Sequence, residues 1–310
     1  MDGARGRGGL VAVHAHPDDE TLATGALLAT WAAAGRPTAV VTCTRGERGE
    51  VIGDELAHLE GDGPALAAHR TRELAAALGA LGVTDHLFLD DVVGTGERFE
   101  DSGMAWLGVG RAGAAAERPA GAFVDVDVET AAAALARVLR DRRPDVVAGY
   151  EPGGGYGHPD HVHAHVVMQR AVGLAAEPGE GRPGHRVPVV LWGALPEAGL
   201  RAAYAATADL AGPGLVPSDA EGPLPSAAVP DAAVTVRVDA VPVLDRVLAA
   251  LAAHATQVQA VRAVDVPGVV AVLALSNDVL QPVLAQEGYR VAPGGRPDDV
   301  VWPRAVAVVA

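Results

Sequence analysis

Lysine is missing from this sequence altogether, cysteine occurs once, and Phe, Trp and Tyr together make up only 4% of its 310 residues. A lone cysteine, Cys43, excludes an intrachain disulfide and gives no sign of an oxidising compartment. With aromatics scarce, Ala, Val and Leu must fill the core, and a chain that is 49% hydrophobic has enough of them. Basic residues are outnumbered by acidic ones, 24 to 39, for a formal net charge of −15. That balance speaks against nucleic acid as a partner, because phosphate binding needs clustered Lys and Arg. The excess of Ala, Gly and Arg over Lys reads as GC-rich genome composition rather than function. No apolar run is long enough to span a bilayer, and no basic amphipathic stretch suits a membrane surface. Residues Met1–Gly9 are Gly/Arg-rich, are expected to be disordered, and are not expected to act as a signal peptide. The expectation is a soluble cytoplasmic protein with no nucleic-acid or membrane partner. Nothing in the sequence fixes its oligomeric state, and no internal repeat or coiled coil is visible.

What is there alternates. Leu10–His14 reads as a strand, Glu20–Ala34 as a helix ended by Gly35 and Pro37, and Thr38–Thr42 as a second strand. A helix over Ala65–Leu81, a strand over His86–Leu89, a helix over Val128–Arg142, a strand over Asp145–Ala148 and a helix over Asp160–Gly173 follow. This predicts an α/β fold, a Rossmann-like, mostly parallel sheet flanked by helices. Strand Ala39-Val40-Val41 is apolar throughout, as a parallel strand buried on both faces should be. A Gly/Pro-rich stretch from Glu177 to Pro188 separates a catalytic part, residues 10–176, from a smaller C-terminal α/β part, residues 188–310, packed on it as one integrated domain. There, Val189–Trp192, Val234–Val238 and Val269–Leu275 read as strands and Val241–Arg262 as a helix. Gly212–Pro230 reads as a long surface loop.

In open parallel sheets, ligands bind beyond the carboxyl ends of the strands, and here four strand ends lead into polar segments. After the first comes His14-Ala15-His16-Pro17-Asp18-Asp19-Glu20. After the second comes Thr44-Arg45-Gly46-Glu47-Arg48-Gly49-Glu50. After the third comes Asp90-Asp91 and a loop reaching Asp101-Ser102-Gly103-Met104. After the fourth comes Tyr150 to His161, with Gly153-Gly154-Gly155-Tyr156-Gly157-His158-Pro159-Asp160-His161. His and carboxylate oxygen are the usual non-thiolate zinc ligands, and a catalytic site keeps a position open for water. His16 and Asp19 can reach one ion from a strand-to-helix turn stiffened by Pro17, leaving Asp18 to act on water. The bland alternative is that Asp18 or Asp19 merely caps the next helix.

The second cluster holds His158, His161, His163 and His165, which could equally be a solvated helix start. His161 and His165 have the spacing of a metalloprotease zinc helix, but Val162 stands where that motif needs its base. A better reading takes His161 as the third ligand, with His158 held by Asp160 as an acid or oxyanion partner. A dinucleotide or phosphate-binding module without catalysis is a rival class. It is disfavoured because His14-Ala15-His16 replaces the Gly-x-Gly-x-x-Gly turn and no Lys-Ser/Thr follows Gly153-Gly154-Gly155.

His16-Pro17-Asp18-Asp19-Glu20 with His158-Pro159-Asp160-His161 closely resembles the LmbE-like, or PIG-L, N-acetylglucosaminyl deacetylase family. Softer stretches such as Val41-Thr42-Cys43-Thr44, Gly49–Asp54 and Leu251–Gln257 extend the resemblance across most of the chain. They point to the mycothiol-pathway branch, which deacetylates N-acetylglucosaminyl-inositol. The resemblance implies one zinc ion, with Fe(II) as the alternative, held by His16, Asp19 and His161. It implies Asp18 as general base, His158 oriented by Asp160, and Tyr156 beside the acetyl group. Arg70, Asp101, Glu50 and Met104 fall where the family contacts its amino-sugar substrate, and His254 falls near the site. Arg70 could otherwise be a solvated helix residue, and Glu50 and Asp101 ordinary loop acids. A sister branch, mycothiol S-conjugate amidase, shares both metal motifs. Ala23-Thr24, where its pattern has a Lys, and Gly157, where it has a Pro, favour the deacetylase.

Overall fold

The computed structural model describes residues 9–108 and 111–309. The chain runs β1 Leu10–His14, α1 Asp19–Ala33, β2 Thr38–Thr42, α2 Gly63–Leu81, β3 Asp85–Phe88, α3 Leu89–Val93, β4 Met104–Gly108, β5 Arg111–Ala114, α4 Val128–Arg142, β6 Val146–Gly149, α5 Gly154–Gly157 and α6 Pro159–Ala175. It continues through β7 Val189–Gly193, β8 Leu195–Pro196, α7 Glu197–Thr207, β9 Val216–Pro217, β10 Ala228–Val229, β11 Val236–Asp239, α8 Leu244–Ala253, β12 Gln259–Val266, β13 Val269–Ala274, β14 Val279–Leu284, β15 Gln286–Val291 and β16 Val306–Val308. The disorder expected for Met1–Gly9 falls, at residues 1–8, outside the described residues. Among the described residues no helix is long and apolar enough to cross a membrane.

The central sheet has the order β16-β11-β15-β7-β6-β1-β2-β3. Strands β7, β6, β1, β2 and β3 are parallel, while β15, β11 and β16 join antiparallel. Its parallel strands are buried on both faces. Leu10, Ala12, Val40, Val146 and Val189 pack with α1, α2 and α8 on one side. Val11, Val13, Val41, Val147 and Val190 pack with α4 and α6 on the other. That two-sided burial is why these strands read as unbroken apolar runs. Helices α2 and α4 start on carboxylate caps: Asp62 accepts from Ala65 N and Asp127 from Thr130 N, each worth about 1 kcal/mol.

Chain order places the site. From β1 the chain moves outward through β2 to β3, then returns to lay β6 on the other side of β1. Connections leave β1 and β6 in opposite directions, so a crevice opens beyond their carboxyl ends.

Two expectations fail here. The helix over Val241–Arg262 stops at Ala253, and Gln259–Val266 is a strand paired with β13. Buried partners draw His254 and Thr256 away from helical geometry: His254 faces Glu20, while Thr256 donates to Glu73 from both its amide and its hydroxyl. Gly212–Pro230 is not a bare loop either, since it carries β9, which pairs with β14, and β10, which pairs with β8. Helix α7, the β4–β5 hairpin and strands β14 to β16 carried no sequence expectation.

Candidate active site

Three side chains bring four donor atoms together where β1 and β6 hand over to α1 and α6. His16 Nδ1 is 3.3 Å from Asp19 Oδ2, His161 Nε2 is 3.3 Å from Asp19 Oδ1, and the two histidine nitrogens are 3.4 Å apart. Ligands of a tetrahedral ion bound at about 2.0–2.1 Å sit about 3.3–3.4 Å from each other. The triangle therefore matches a three-ligand site with one position open. His16, Asp19 and His161 are all buried.

Both histidines are aimed by a further group. His16 Nε2 lies 3.1 Å from Asp160 Oδ2, which fixes the proton on that nitrogen and leaves Nδ1 free for a metal. The Asp160 carboxylate also accepts from Ser102, at its backbone N and its hydroxyl. His161 Nδ1 lies 3.1 Å from Gly154 O, and its ring stacks on Tyr150 at 4.2 Å. Gly154, at φ 70°, lets that loop pass close to α6: a Cβ there would come within 2.8 Å of Val162 N. The Tyr150 hydroxyl accepts Ala15 N–H at 2.9 Å.

Asp18 does not cap α1. It occupies the N-cap position, yet its side chain makes no capping bond, and its backbone sits at φ 115°. Such a conformation costs an L-residue about 1–3 kcal/mol and persists only where surroundings enforce it. Here Glu20 Oε2 accepts the Asp18 N–H at 3.0 Å, and Glu20 Oε1 lies 2.7 Å from His254 Nε2. Burial raises the Asp18 pKa to about 6, against the lowering effect of Arg70 and with a raising contribution from Asp19. For Asp19, burial is outweighed by His161 and His16, which hold its carboxyl well below the usual range. Asp101, Asp160 and Asp19 together outweigh burial at His16 and raise its pKa well above the usual value. His158 is pushed down to about 2, first by burial and then by His16 and His161.

A single cavity of 380 Å³ is lined by all the expected site residues except Asp160: His16, Asp18, Asp19, Glu50, Arg70, Asp101, Met104, Tyr156, His158 and His161. Two of these differ from expectation in how they are held. Asp160 reaches His158 only through its backbone N–H, which donates to His158 Nδ1 at 3.1 Å; its carboxylate serves His16 instead. Arg70 is buried and donates to Gly46 O and Pro17 O, 3.4 Å from Asp18. It braces the turn that carries the free aspartate, and Gly46 has no Cβ because the guanidinium fills that space. Asp101 lies 3.7 Å from His16, and Glu50 holds Gln257 through its carbonyl. The remaining histidines of the cluster are neither ligands nor a solvated helix start, since His165 is buried and His163 half-buried. His163 packs on Phe123, and His165 Nδ1 lies 2.8 Å from Tyr150 O.

Sequence reasoning missed Tyr150, Ser102, Glu20 and Trp106. Trp106 lines the cavity and stacks on Tyr156 at 5.7 Å, with its indole nitrogen buried and without a partner. Ser102 and Glu20 stood inside motifs already noted, but their bonds depend on side-chain directions that spacing does not give. Arg45 and Asp90, on two of the polar strand ends, pair with each other at 2.6 Å outside the cavity lining.

A family model described as GlcNAc-PI de-N-acetylase (PIG-L) matches residues 11–172. A 1D-myo-inositol 2-acetamido-2-deoxy-alpha-D-glucopyranoside deacetylase of Kineococcus radiotolerans is 49% identical over 286 residues, covering 91% of this chain and 76% of that protein. Proteins of the same name from Rhodococcus opacus, 44% identical over 93% of each chain, and Streptomyces scabiei, 42% identical over 93% of this chain and 85% of its own, also match. Among solved structures, a 4-carboxy-2-hydroxymuconate hydratase of Pseudomonas putida KT2440 superposes with a TM-score of 0.50 at 20% identity, over 79% of this chain and 78% of that one, a likeness of fold alone. With its family match spanning the β1-to-α6 unit that builds the site, and with relatives this similar over nearly its whole length, the chain belongs to the PIG-L family of de-N-acetylases.

Proposed function

We propose that this protein is a zinc-dependent amidohydrolase that converts N-acetylglucosaminyl-inositol to glucosaminyl-inositol and acetate, the deacetylation step of mycothiol biosynthesis. The observation that carries this reading is the His16–Asp19–His161 triangle with a strained, uncapped Asp18 beside it. The names of relatives 40–49% identical to the chain support the substrate. Two imidazole nitrogens and a carboxylate suit zinc, and Fe(II) fits the same donors. A cytoplasmic setting accords with a small polar substrate and a lone buried thiol.

Bound in the triangle, the ion would polarise the acetamide carbonyl and make water a better nucleophile. The protein's own residues do the rest. Asp18, ionised above pH about 6, accepts the proton of the attacking water. His158 is neutral, and because Nδ1 accepts from Asp160 N–H, its proton is on Nε2. That N–H, with Tyr156, faces the oxygen on which negative charge develops, and a well-placed donor there is worth roughly 3–4 kcal/mol. A ring that stays neutral has no imidazolium proton to give, and the N–H of neutral imidazole is a very weak acid, so Asp18 returns the proton to the departing amine. Asp101, Glu50 and Met104 face the sugar and inositol, while Arg70 keeps Asp18 aimed. The test is primary-amine release from N-acetylglucosaminyl-inositol by metal-loaded protein beside a chelator-treated control. Release only with metal supports the reading; no release from folded, metallated protein rejects the substrate.

A further inference from the structure

A hydroxyl-rich sugar and inositol leave part of the cavity without a purpose. Its polar end carries His16, Asp101, Glu50 and Gln257. From there it follows α1, lined by Asp19, Leu22 and Ala23 and, past the break at Thr24, by Ala26. The facing walls are Leu200 and Tyr204 of α7, Leu251 of α8, Leu273 of β13 and Val283 of β14. At its far end Glu287 accepts the N–H groups of Ala26 and Leu27, both at 2.9 Å. The whole cavity is within the size range, about 300–1,000 Å³, of pockets that bury a drug-sized ligand. Ser276, Gln281 and Gln286 also line the cavity, but the aliphatic side chains facing α1 give nothing to hydroxyl groups, and acetate needs room for a single methyl.

The geometry points to an N-acyl chain longer than acetyl as the occupant of this apolar chamber, making the enzyme a deacylase of medium-chain N-acyl glucosaminides as well as a deacetylase. An amide is planar and normally trans, so its acyl chain and its amine substituent extend away from the reacting carbon in opposite directions. With the sugar among the charged groups at the polar end, the acyl substituent is directed along the Leu22–Ala26 face. The chemistry is unchanged: the C–N bond breaks, a C–O bond forms with water's oxygen, and a proton from water ends on the amine. The products are a fatty carboxylate and the amino sugar, with no redox partner needed.

This inference rests on the deacetylase reading, and one experiment separates the two. Amine release is measured for N-acetyl, N-butanoyl and N-octanoyl glucosaminyl-inositol with the metal-loaded full chain. The expected result is an octanoyl kcat/KM within about tenfold of the acetyl value, since each methylene that finds an apolar wall adds to binding. Val283→Trp, which fills the chamber opposite α1, should lower octanoyl turnover at least about tenfold and leave acetyl turnover within about twofold. Leu200→Trp, on a different wall, makes the same comparison where Val283→Trp fails to fold. Acetyl turnover with octanoyl more than about 100-fold slower overturns the inference, as does octanoyl turnover indifferent to both variants. An octyl glycoside of N-acetylglucosamine that is hydrolysed and shows the same sensitivity to Val283→Trp would assign the chamber to the aglycone and overturn it too. No release even from the acetyl substrate rejects the deacetylase reading instead.

Discussion

His254 Nε2 stands 2.7 Å from Glu20 Oε1, and both side chains are fully buried. Burial alone would lower the His254 pKa, but Glu20 raises it above its ordinary value; burial alone would raise Glu20, but His254 holds it down. Through the other Glu20 oxygen the contact reaches the Asp18 N–H, so a residue at the end of α8 enforces the strained backbone of the free aspartate.

Removing one partner should therefore cost stability and turnover together. His254→Leu leaves a buried carboxylate without its cation and is expected to cost about 3–5 kcal/mol, read by urea unfolding. His254→Gln, which keeps a donor, should recover part of both. The pH signs are opposite for the two groups. The His254 contribution is full below 6.5 and is lost as pH rises through its raised folded value; that of Glu20 is full above 4.5 and is lost as pH falls through its lowered one. Wild-type stability measured across that range should fall at both ends, and the His254→Leu curve should be flatter on the alkaline side.

Asp18→Asn should bind metal as the wild type does and lose turnover by roughly 10²–10⁴-fold, the usual contribution of a general base. Asp19→Asn should lose the metal itself. Metal content after dialysis, measured beside kcat, separates them; equal metal loss in the two variants would falsify the division of labour.

The two histidines should also part company. His161→Ala removes a corner of the donor triangle and should weaken metal affinity. His158→Ala should leave metal content intact and lower kcat by about 10²–10³-fold, as loss of an oxyanion donor does. A reversed pattern means that His158 and not His161 completes the site.

Glu287 gives a prediction that leaves the chemistry aside. Helix α1 breaks at Thr24, and Glu287 accepts the two amides that the break exposes, while Tyr289 O–H donates to it at 2.5 Å. Burial raises its pKa to about 7 against those hydrogen bonds. Since the folded value lies above the unfolded 4.5, the neutral form is the one favoured by folding. Its contribution is full below pH 4.5 and declines as pH rises through 7, by on the order of 2–3 kcal/mol. Glu287→Gln should flatten the stability curve from pH 5 to 8. A variant curve that still declines in parallel with wild type would assign the slope to another group.

Much of the site was legible because its side chains come from short-range features. His16, Asp18 and Asp19 lie in one strand-to-helix turn, and His158 and His161 in another, and strand-end logic brings two such turns to one edge. Tyr150 and Ser102 were not legible, since a ring behind a ligand or a hydroxyl under a carboxylate shows only when two segments are superposed. The misread helix at Val241–Arg262 has the same cause. Its apolar spacing suits a helix, but His254 and Thr256 are claimed by Glu20 and Glu73, each more than 180 residues away in sequence.

The sequence by itself determined the parallel sheet and which strand-end turns carry His16, Asp18, Asp19, His158 and His161, because strand apolarity, helix periodicity and these polar clusters are written within a few residues of each other. Only the tertiary structure decided what enforces the φ of Asp18, which group orients His16, and how far the apolar chamber runs past the catalytic residues. Those depend on buried side chains meeting across the fold, where pairing and packing outweigh local preference.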